Sequence, residues 1–563
     1  MSTRKTPWLV ISLMSLVVSS ALIAKEKQND PALKKPHDQV QEPPQKQRYD
    51  MLLMGGGVAM CSSMQPQHCV GDVKMSNAKT ATLVSLDPIA IEQLARSSFW
   101  LPSRHAVQQQ VMQVLAVLQS KWAQQPMTDR TFLQHFRQLQ LPATATTMAI
   151  DGAALLAQLQ DAEIDLILDS LEIYQASAAD SRVRLTEQAF PDSTKDQFSL
   201  ELYREFVEQA ALRRPTSRPK VLVMTASGRD PFAAVDFYLD LFQKLGADAT
   251  WFPLNAASQA AARQQQDCSS LELEMQQRQG SFQRGRVYPD LMAQQLAFCQ
   301  QGETAALALL QQADGIFING GNQSLTYQAL KAPDGSDTAM LALIRSKIAA
   351  GELIMAGTSA GTAVQGGGQY QGQATVMISN GESHHALEHG AVAAAAPQPG
   401  CQHSKTCGEG LTQSSLTYQA AGGFGLFPWG ILDTHFSERG REGRLLTLVA
   451  QTQAYYGFGV DEATALLVRA DRQQPDKAHF RVLGAEGVYV VERHAQSQYQ
   501  RGKKLQLMSH YFTREDEFSV APTGIVPHIA PWKTPTILES NNTASGVSSD
   551  PAVVMNYPAL AGD

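Results

Sequence analysis

The sequence predicts an α/β fold: a parallel sheet with helices on both faces, interrupted by a mostly helical insertion. Three observations carry this reading. From residue 220 to about 360, short apolar runs alternate with amphipathic ones. Strands that alternate with helices pair in parallel, because each helix returns the chain to the same end of the sheet. Two of these apolar runs end in glycine-rich turns, at Gly320-Gly321 and at Gly357-Thr358-Ser359-Ala360-Gly361. Such turns belong at the carboxyl ends of strands, where ligands sit in these sheets. Residues 70–215 differ: Val107, Val111, Leu115, Leu118 and Trp122 recur at helical spacing. A hydrophobic content of 44% with 18% charged residues suits a folded globular protein.

The chain opens with Arg4 and Lys5, followed by the uncharged run Trp8–Ala24. That run is at the short end for a spanning helix, so residues 1–24 read as a cleaved export signal rather than a retained anchor. Ser19-Ser20-Ala21 offers small residues for cleavage, Ala24 a second option, and the absence of cysteine there argues against a lipoprotein. Residues 25–47 are rich in Lys, Gln and Pro and read as a disordered linker. The expectation is an exported protein, periplasmic or extracellular, with no stable membrane span after cleavage. Net charge is −7, so the basic footprint that nucleic-acid binding needs is missing. Six cysteines fall into three locally spaced pairs, and an even count in an exported chain suggests disulfides. Local pairing gives Cys61–Cys69, Cys268–Cys299 and Cys401–Cys407. The rivals are zinc ligands or free thiols, and the lack of any Cys-x-x-Cys weakens the zinc reading.

The folded region spans about residues 48–530. "YDMLLMGGGVAMCSS" begins it as a short strand ended by Gly55-Gly56-Gly57, which read as a tight turn rather than a phosphate loop. The helical insertion occupies about 70–215. "KVLVMTAS" is then a buried strand, "PFAAVDFYLDLFQKLGA" an amphipathic helix ending at Gly246, and "ATWFPL" a strand. After an irregular Cys268–Cys299 segment and a helix near 303–313 come the strand "GIFING", the helix "SDTAMLALIRSKIAAG" and the strand "ELIMAG". The tail from 531 to 563 is small and polar and is expected to be poorly ordered. It carries a glycosylation sequon at Asn541-Asn542-Thr543.

Chemistry concentrates in three stretches. In the first, Gly-x-Ser-x-Gly after a strand makes a sharp elbow that presents the Ser359 hydroxyl at the head of a helix. The helix amino end and the Ala360 N–H can then stabilise an oxyanion. Glycine-serine turns are common, so this match alone leaves Ser359 either nucleophile or turn residue. In the second, "GILDTHFSERGREGRLLTLV" packs Asp433, His435, Arg439, Arg441 and Arg444 between a strand end and a helical run. Arginine forks bind carboxylates bidentately, so this pattern suggests a base beside a carboxylate pocket. A solvated charge run is the bland alternative. In the third, "YYGFGVDEATALLV" sets Asp461 and Glu462 at a strand end, where one carboxylate could orient the imidazole. The alternative is a surface acidic pair in a hairpin turn. "SHHALEHG" places His384, His385 and His389 together. It lacks the glutamate that follows the first histidine in zinc peptidases, so a solvated loop is favoured over a metal site.

"FINGGNQSLT", "IMAGTSAGTAV", "ILDTHFSERGREGRLL" and "GFGVDEATALLV" occur in this order. Together they resemble the cyanophycinase family of serine peptidases, relatives of the aspartyl dipeptidases, over about residues 49–70 and 218–500. The resemblance implies a flavodoxin-like, class I glutamine-amidotransferase-like core. It implies Ser359 as nucleophile, His435 as base and Glu462 as acid, with the Gly321 and Ala360 N–H groups as oxyanion donors. Gln323, Asp433, Thr434, Arg439, Arg441 and Arg444 fall at substrate-pocket positions, with Thr434 standing where the family usually has glutamine. The order Ser, His, Glu differs from the Ser, acid, His order of α/β-hydrolases. The implied substrate is cyanophycin, a poly-aspartate bearing arginine on each side chain, or a related β-aspartyl peptide. Acyl-enzyme chemistry of this kind requires no metal and no organic cofactor, and dimers are common in the family, which implies a homodimer. Two competing expectations stand beside it: the same fold acting on another acidic or isoaspartyl peptide, and an inactivated peptidase fold serving as a binding module.

Overall fold

The computed structural model describes residues 46–123, 125–143, 148–215, 217–264, 267–398, 400–493, 505–528 and 553–557. The signal segment and nearly all of the linker lie outside them, as does the sequon at Asn541.

The main sheet has nine strands. Five run parallel, in the spatial order Asp248–Trp251, Lys220–Met224, Gly315–Ile318, Ile354–Thr358, Met51–Met54. Thr464–Ala470, Ala478–Gly484, Glu517–Ala521 and Gly524–His528 extend the sheet antiparallel beyond the Met51 strand. Successive side chains of a strand point to opposite faces, and the core divides accordingly. Met51, Leu53, Leu222, Met224, Ile316, Ile318 and Met355 pack on one face. Leu52, Met54, Val221, Val223, Phe317, Ile354 and Ala356 pack on the other. Both faces are apolar because both are covered, which makes these strands nearly continuous hydrophobic runs. Gln197–Ala211 and Val235–Lys244 contribute buried residues to the second face; Pro289–Gln312 and Ala339–Ala349 to the first.

A second sheet begins with the parallel pair Ile431–Thr434 and Tyr456–Val460 and continues antiparallel through Gly487–Glu492 and Leu505–Thr513. Val553–Tyr557 pairs with the last of these. Val553, Val554 and Met555 supply strand-forming residues to this segment of the tail.

The helical insertion divides in two. Helices Pro88–Ala95, His105–Trp122, Asp129–Gln138, Gly152–Gln158 and Asp161–Leu171 surround a core of their own. Val111, Val114, Leu115 and Leu118 form its central stripe. Asp87 caps the first helix by accepting from the Ile89 and Ala90 N–H groups, and Asp151 caps the fourth in the same way. The Gln197–Ala211 helix packs on the sheet instead, through Leu200, Tyr203, Phe206 and Val207. The Cys268–Cys299 segment, expected to be irregular, holds short helices and much of Pro289–Gln312, which breaks at Gly302 with φ 67°. The three disulfides are Cys61–Cys69, Cys268–Cys299 and Cys401–Cys407, the local pairing expected from the sequence. Among the described residues no helix is long and apolar enough to cross a membrane.

Candidate active site

Register brings the site together. Met54 lies opposite Thr358 in the main sheet, so Gly55 and Ser359 leave neighbouring strands at the same end. Thr434 lies opposite Val460 in the second sheet, so His435 and the Asp461-Glu462 pair do the same. Ser359 turns sharply into the short helix Ala360–Ala363 at φ 54° and ψ −115°, and its N–H is held by the Met54 carbonyl at 3.1 Å.

Three side chains form one hydrogen-bonded line. His435 Nε2 lies 2.7 Å from Ser359 Oγ, and His435 Nδ1 lies 2.5 Å from Glu462 Oε1. With the proton on Nδ1 donated to Glu462, Nε2 is left as an acceptor for the serine hydroxyl. Burial lowers the His435 pKa below the usual histidine value. Glu462 opposes that shift, and Arg439 and Arg441 add to it. The adjacent carboxylate has another role. Asp461 is fully buried, accepting from the Ser437 N–H at 2.9 Å and the Tyr511 hydroxyl at 2.5 Å. The Glu462 N–H in turn donates to Glu438 Oε1 at 2.9 Å.

The three glycines after the first strand lie beneath this line, a role the reading as a tight turn did not foresee. A Cβ on Gly56 would sit 2.2 Å from His435 Cε1, and one on Gly57 2.4 Å from Glu462 Oε2. The Gly55 carbonyl accepts from the His435 N–H at 2.8 Å, and the Gly56 carbonyl from Ala463 at 2.9 Å. The signal was present as three consecutive glycines at a strand end.

A cleft of about 760 Å³ opens in front of Ser359. Gly320, Gly321, Asn319, Tyr203, Tyr238, His68 and Arg439 help to line it. The N–H groups of Gly321 and Ala360 donate to no protein acceptor among the described residues. Arg439 is exposed, and its guanidinium has no hydrogen-bond or ion-pair partner among them.

The other residues expected in a substrate pocket are engaged within the protein. Arg444 grips Asp433 with two bonds, Nε to Oδ2 at 2.7 Å and Nη2 to Oδ1 at 2.5 Å, and donates to the Gly381 carbonyl at 2.7 Å. Both residues are buried. Arg441 donates to the Thr434 carbonyl at 2.6 Å; burial brings its pKa down to about 10, with Arg444 and Arg439 adding to the effect against Asp433. Thr434 is itself buried, at the end of its strand. Gln323 donates to the Ile378 carbonyl at 2.7 Å. The His384–His389 stretch, expected as a loop, lies in the short helix Ser383–His389, where His385 meets Thr412 Oγ1 at 3.2 Å.

No protein-family model matches the chain. Over 185 residues, 33% of this chain, it is 31% identical to proteins named cyanophycinase from Trichormus variabilis and from Nostoc sp., covering 47% of each. It is 26% identical over 194 residues to a cyanophycinase from Geminocystis herdmanii, covering 34% of this chain and 55% of that protein. The chain thus spans about half the length of the curated relatives it matches. A solved structure of a peptidase from an acI-B1 Actinobacterium aligns at 16% identity with a TM-score of 0.30, over 55% of this chain and 90% of that one. Over the third of its length that aligns, the chain is a homologue of proteins named cyanophycinase.

Proposed function

We propose that this protein is an exported serine peptidase that cleaves β-aspartyl peptides through a Ser359–His435–Glu462 triad and an acyl-enzyme. The observation that carries the reading is the unbroken line from Ser359 Oγ through both ring nitrogens of His435 to Glu462. His435 Nε2 takes the serine proton as Oγ attacks the scissile carbonyl. The tetrahedral oxyanion is stabilised by the Gly321 and Ala360 N–H groups. His435 returns the proton to the leaving amine, and water then releases the acyl group by the same route in reverse. Glu462 holds the tautomer and stabilises the charged imidazole. The lowered His435 pKa keeps the base neutral at neutral pH.

The three disulfides favour an oxidising compartment, in keeping with export. A flavodoxin-like core accords with the strand order. The four strands from Lys220 onward lie in the order 2-1-3-4, and the first strand of the chain takes the fifth place. Cyanophycin is the substrate suggested by the relatives' names. One observation favours a different acidic or isoaspartyl peptide. Among the described residues no carboxylate lines the cleft, so nothing there awaits the guanidinium groups of cyanophycin.

The test is hydrolysis of cyanophycin and of a panel of β-aspartyl peptides by the purified protein and by Ser359→Ala. Loss of turnover of at least about 10³-fold in the variant is expected. Equal product release by the two proteins would remove Ser359 from the mechanism.

A further inference from the structure

The cleft has a wall that none of the four sequence motifs supplies. Cys61 and Cys69 close a short loop, and His68 within it lines the cleft together with Ser359, His435 and Arg439. The loop is fastened along its length. The Cys61 N–H donates to Thr194 Oγ1 at 3.2 Å, the Lys195 N–H to the His68 carbonyl at 2.9 Å, and the Val70 N–H to the Ser193 carbonyl at 2.7 Å. Lys195 Nζ reaches the Gln67 carbonyl at 2.7 Å. These anchors lie just before the Gln197–Ala211 helix, whose Tyr203 also faces the cleft. The backbone that carries His68 is therefore tied to the body of the protein on the catalytic side of the sheet.

The His68 side chain is half-buried and has no hydrogen-bond partner among the described residues. Around it the wall is largely apolar and aromatic, from Val58, Ala59, Ala234, Tyr203 and Tyr238. Three side chains in this lining have an unused N–H donor: the imidazole of His68, the guanidinium of Arg439 and the side-chain amide of Asn319, whose oxygen accepts from the Ser227 N–H. A few fixed donors in an otherwise apolar cleft set the orientation of a ligand, and N–H groups beside a guanidinium select an anionic acceptor.

We propose that His68 is a substrate-binding residue that donates a hydrogen bond to a carboxylate of an acidic peptide, with the Cys61–Cys69 disulfide holding it at the cleft. This rests on the serine-peptidase reading and narrows its substrate class. The peptide is recognised by a carboxylate separate from the scissile amide, and recognition depends on a loop outside the catalytic motifs.

The experiment compares two β-aspartyl peptides that differ only in a side-chain carboxylate or its amide. Labelling of Ser359 by a small uncharged sulfonyl fluoride is measured in parallel. His68→Ala is expected to raise KM for the carboxylate peptide about tenfold, the loss of one charge-assisted hydrogen bond. The accompanying change in kcat should be under about twofold, because the contact is equal in ground and transition states. KM for the amide peptide should stay within about twofold, since its partner group carries no charge. The Cys61→Ser, Cys69→Ser double variant should reproduce the selective rise. Shifts of equal size on the two peptides, or none on either, would overturn the role of His68 even with labelling intact. Failure of the unsubstituted protein to label at Ser359 would overturn the peptidase reading itself.

Discussion

Ser359, His435 and Ala463 all have positive φ, at 54°, 47° and 49°. Residues with a side chain seldom occupy that region, and each instance costs about 1–3 kcal/mol. Successive carbonyls at the end of the first strand hold all three in place: Met54 accepts from Ser359, Gly55 from His435 and Gly56 from Ala463. One short segment thereby sets the serine, the imidazole and the peptide after Glu462. Gly56→Ala should disturb this directly, since its methyl would meet the His435 ring and its φ of 112° is unsuited to alanine. A displacement of about 1 Å at a reacting group costs on the order of 10²-fold in rate. We expect that loss in kcat and in Ser359 labelling, with secondary structure by circular dichroism retained; full labelling would refute the cradle. The pH profile tests the electrostatics. Because the His435 pKa is lowered, its neutral form persists below the usual histidine range, and the acid limb of kcat/KM should fall below about pH 6.5. Arg439 contributes to that lowering, so Arg439→Ala should move the limb upward in pH. A downward shift would contradict the assignment.

At the scale of elements, the two parallel strand pairs deliver the site by register, and the loop after Ile431–Thr434 separates its arginines by task. Arg444 and Asp433 form a buried, bidentate pair that fastens the Glu442–Thr452 helix to the strand carrying the histidine. Removing Arg444 leaves the buried Asp433 with only the longer 3.5 Å ion pair to Arg441, at a cost of about 3–5 kcal/mol. Arg444→Ala should therefore lower the denaturation midpoint sharply, while Arg439→Ala should leave it almost unchanged and raise KM for acidic peptides. The reverse pattern would exchange their roles. The contrast also shows where the sequence was legible. The alternation of apolar runs from Val221 to Ala356 placed the parallel strands, because burial on both faces leaves a continuous signature. The order of Ser359, His435 and Glu462 along the chain was readable because each follows a strand. Which of three neighbouring arginines faces the cleft was not readable. That depends on the reversal at Gly440, φ 55°, and on which side of the following helix packs inward. His68 was equally hidden, since its place comes from a disulfide loop and hydrogen bonds to residues 193–195 rather than from any local pattern.

Across the whole molecule, the helical lobe and the sheet are joined through buried charge. Arg284 is 1% exposed and reaches Glu172 Oε2 at 2.7 Å and Asp230 Oδ2 at 2.9 Å. Glu172 follows the last helix of the lobe, Asp230 follows a strand of the main sheet, and Arg284 belongs to the Cys268–Cys299 segment. One guanidinium thus ties together three parts of the chain that are distant in sequence. Its pKa is raised: Asp230, Asp169 and Glu172 outweigh the penalty of burial. Lys79 supplies a second contact to Glu172, at 3.3 Å. Arg229 binds Asp169 beside them, so the junction is a network rather than a single pair. A network of this kind is weak evidence for net stability, because apolar residues of similar volume often serve as well. Its disruption is costly all the same. Arg284→Met fills most of the space but strands Asp230 and leaves Glu172 with Lys79 alone, and should lower unfolding free energy by about 3–5 kcal/mol in urea titrations. Adding Asp230→Asn removes the stranded charge and should restore most of the loss, because what destabilises is the unpaired carboxylate and not the missing arginine. A double variant as unstable as the single one would show that packing of the guanidinium, rather than its charge, joins lobe to sheet.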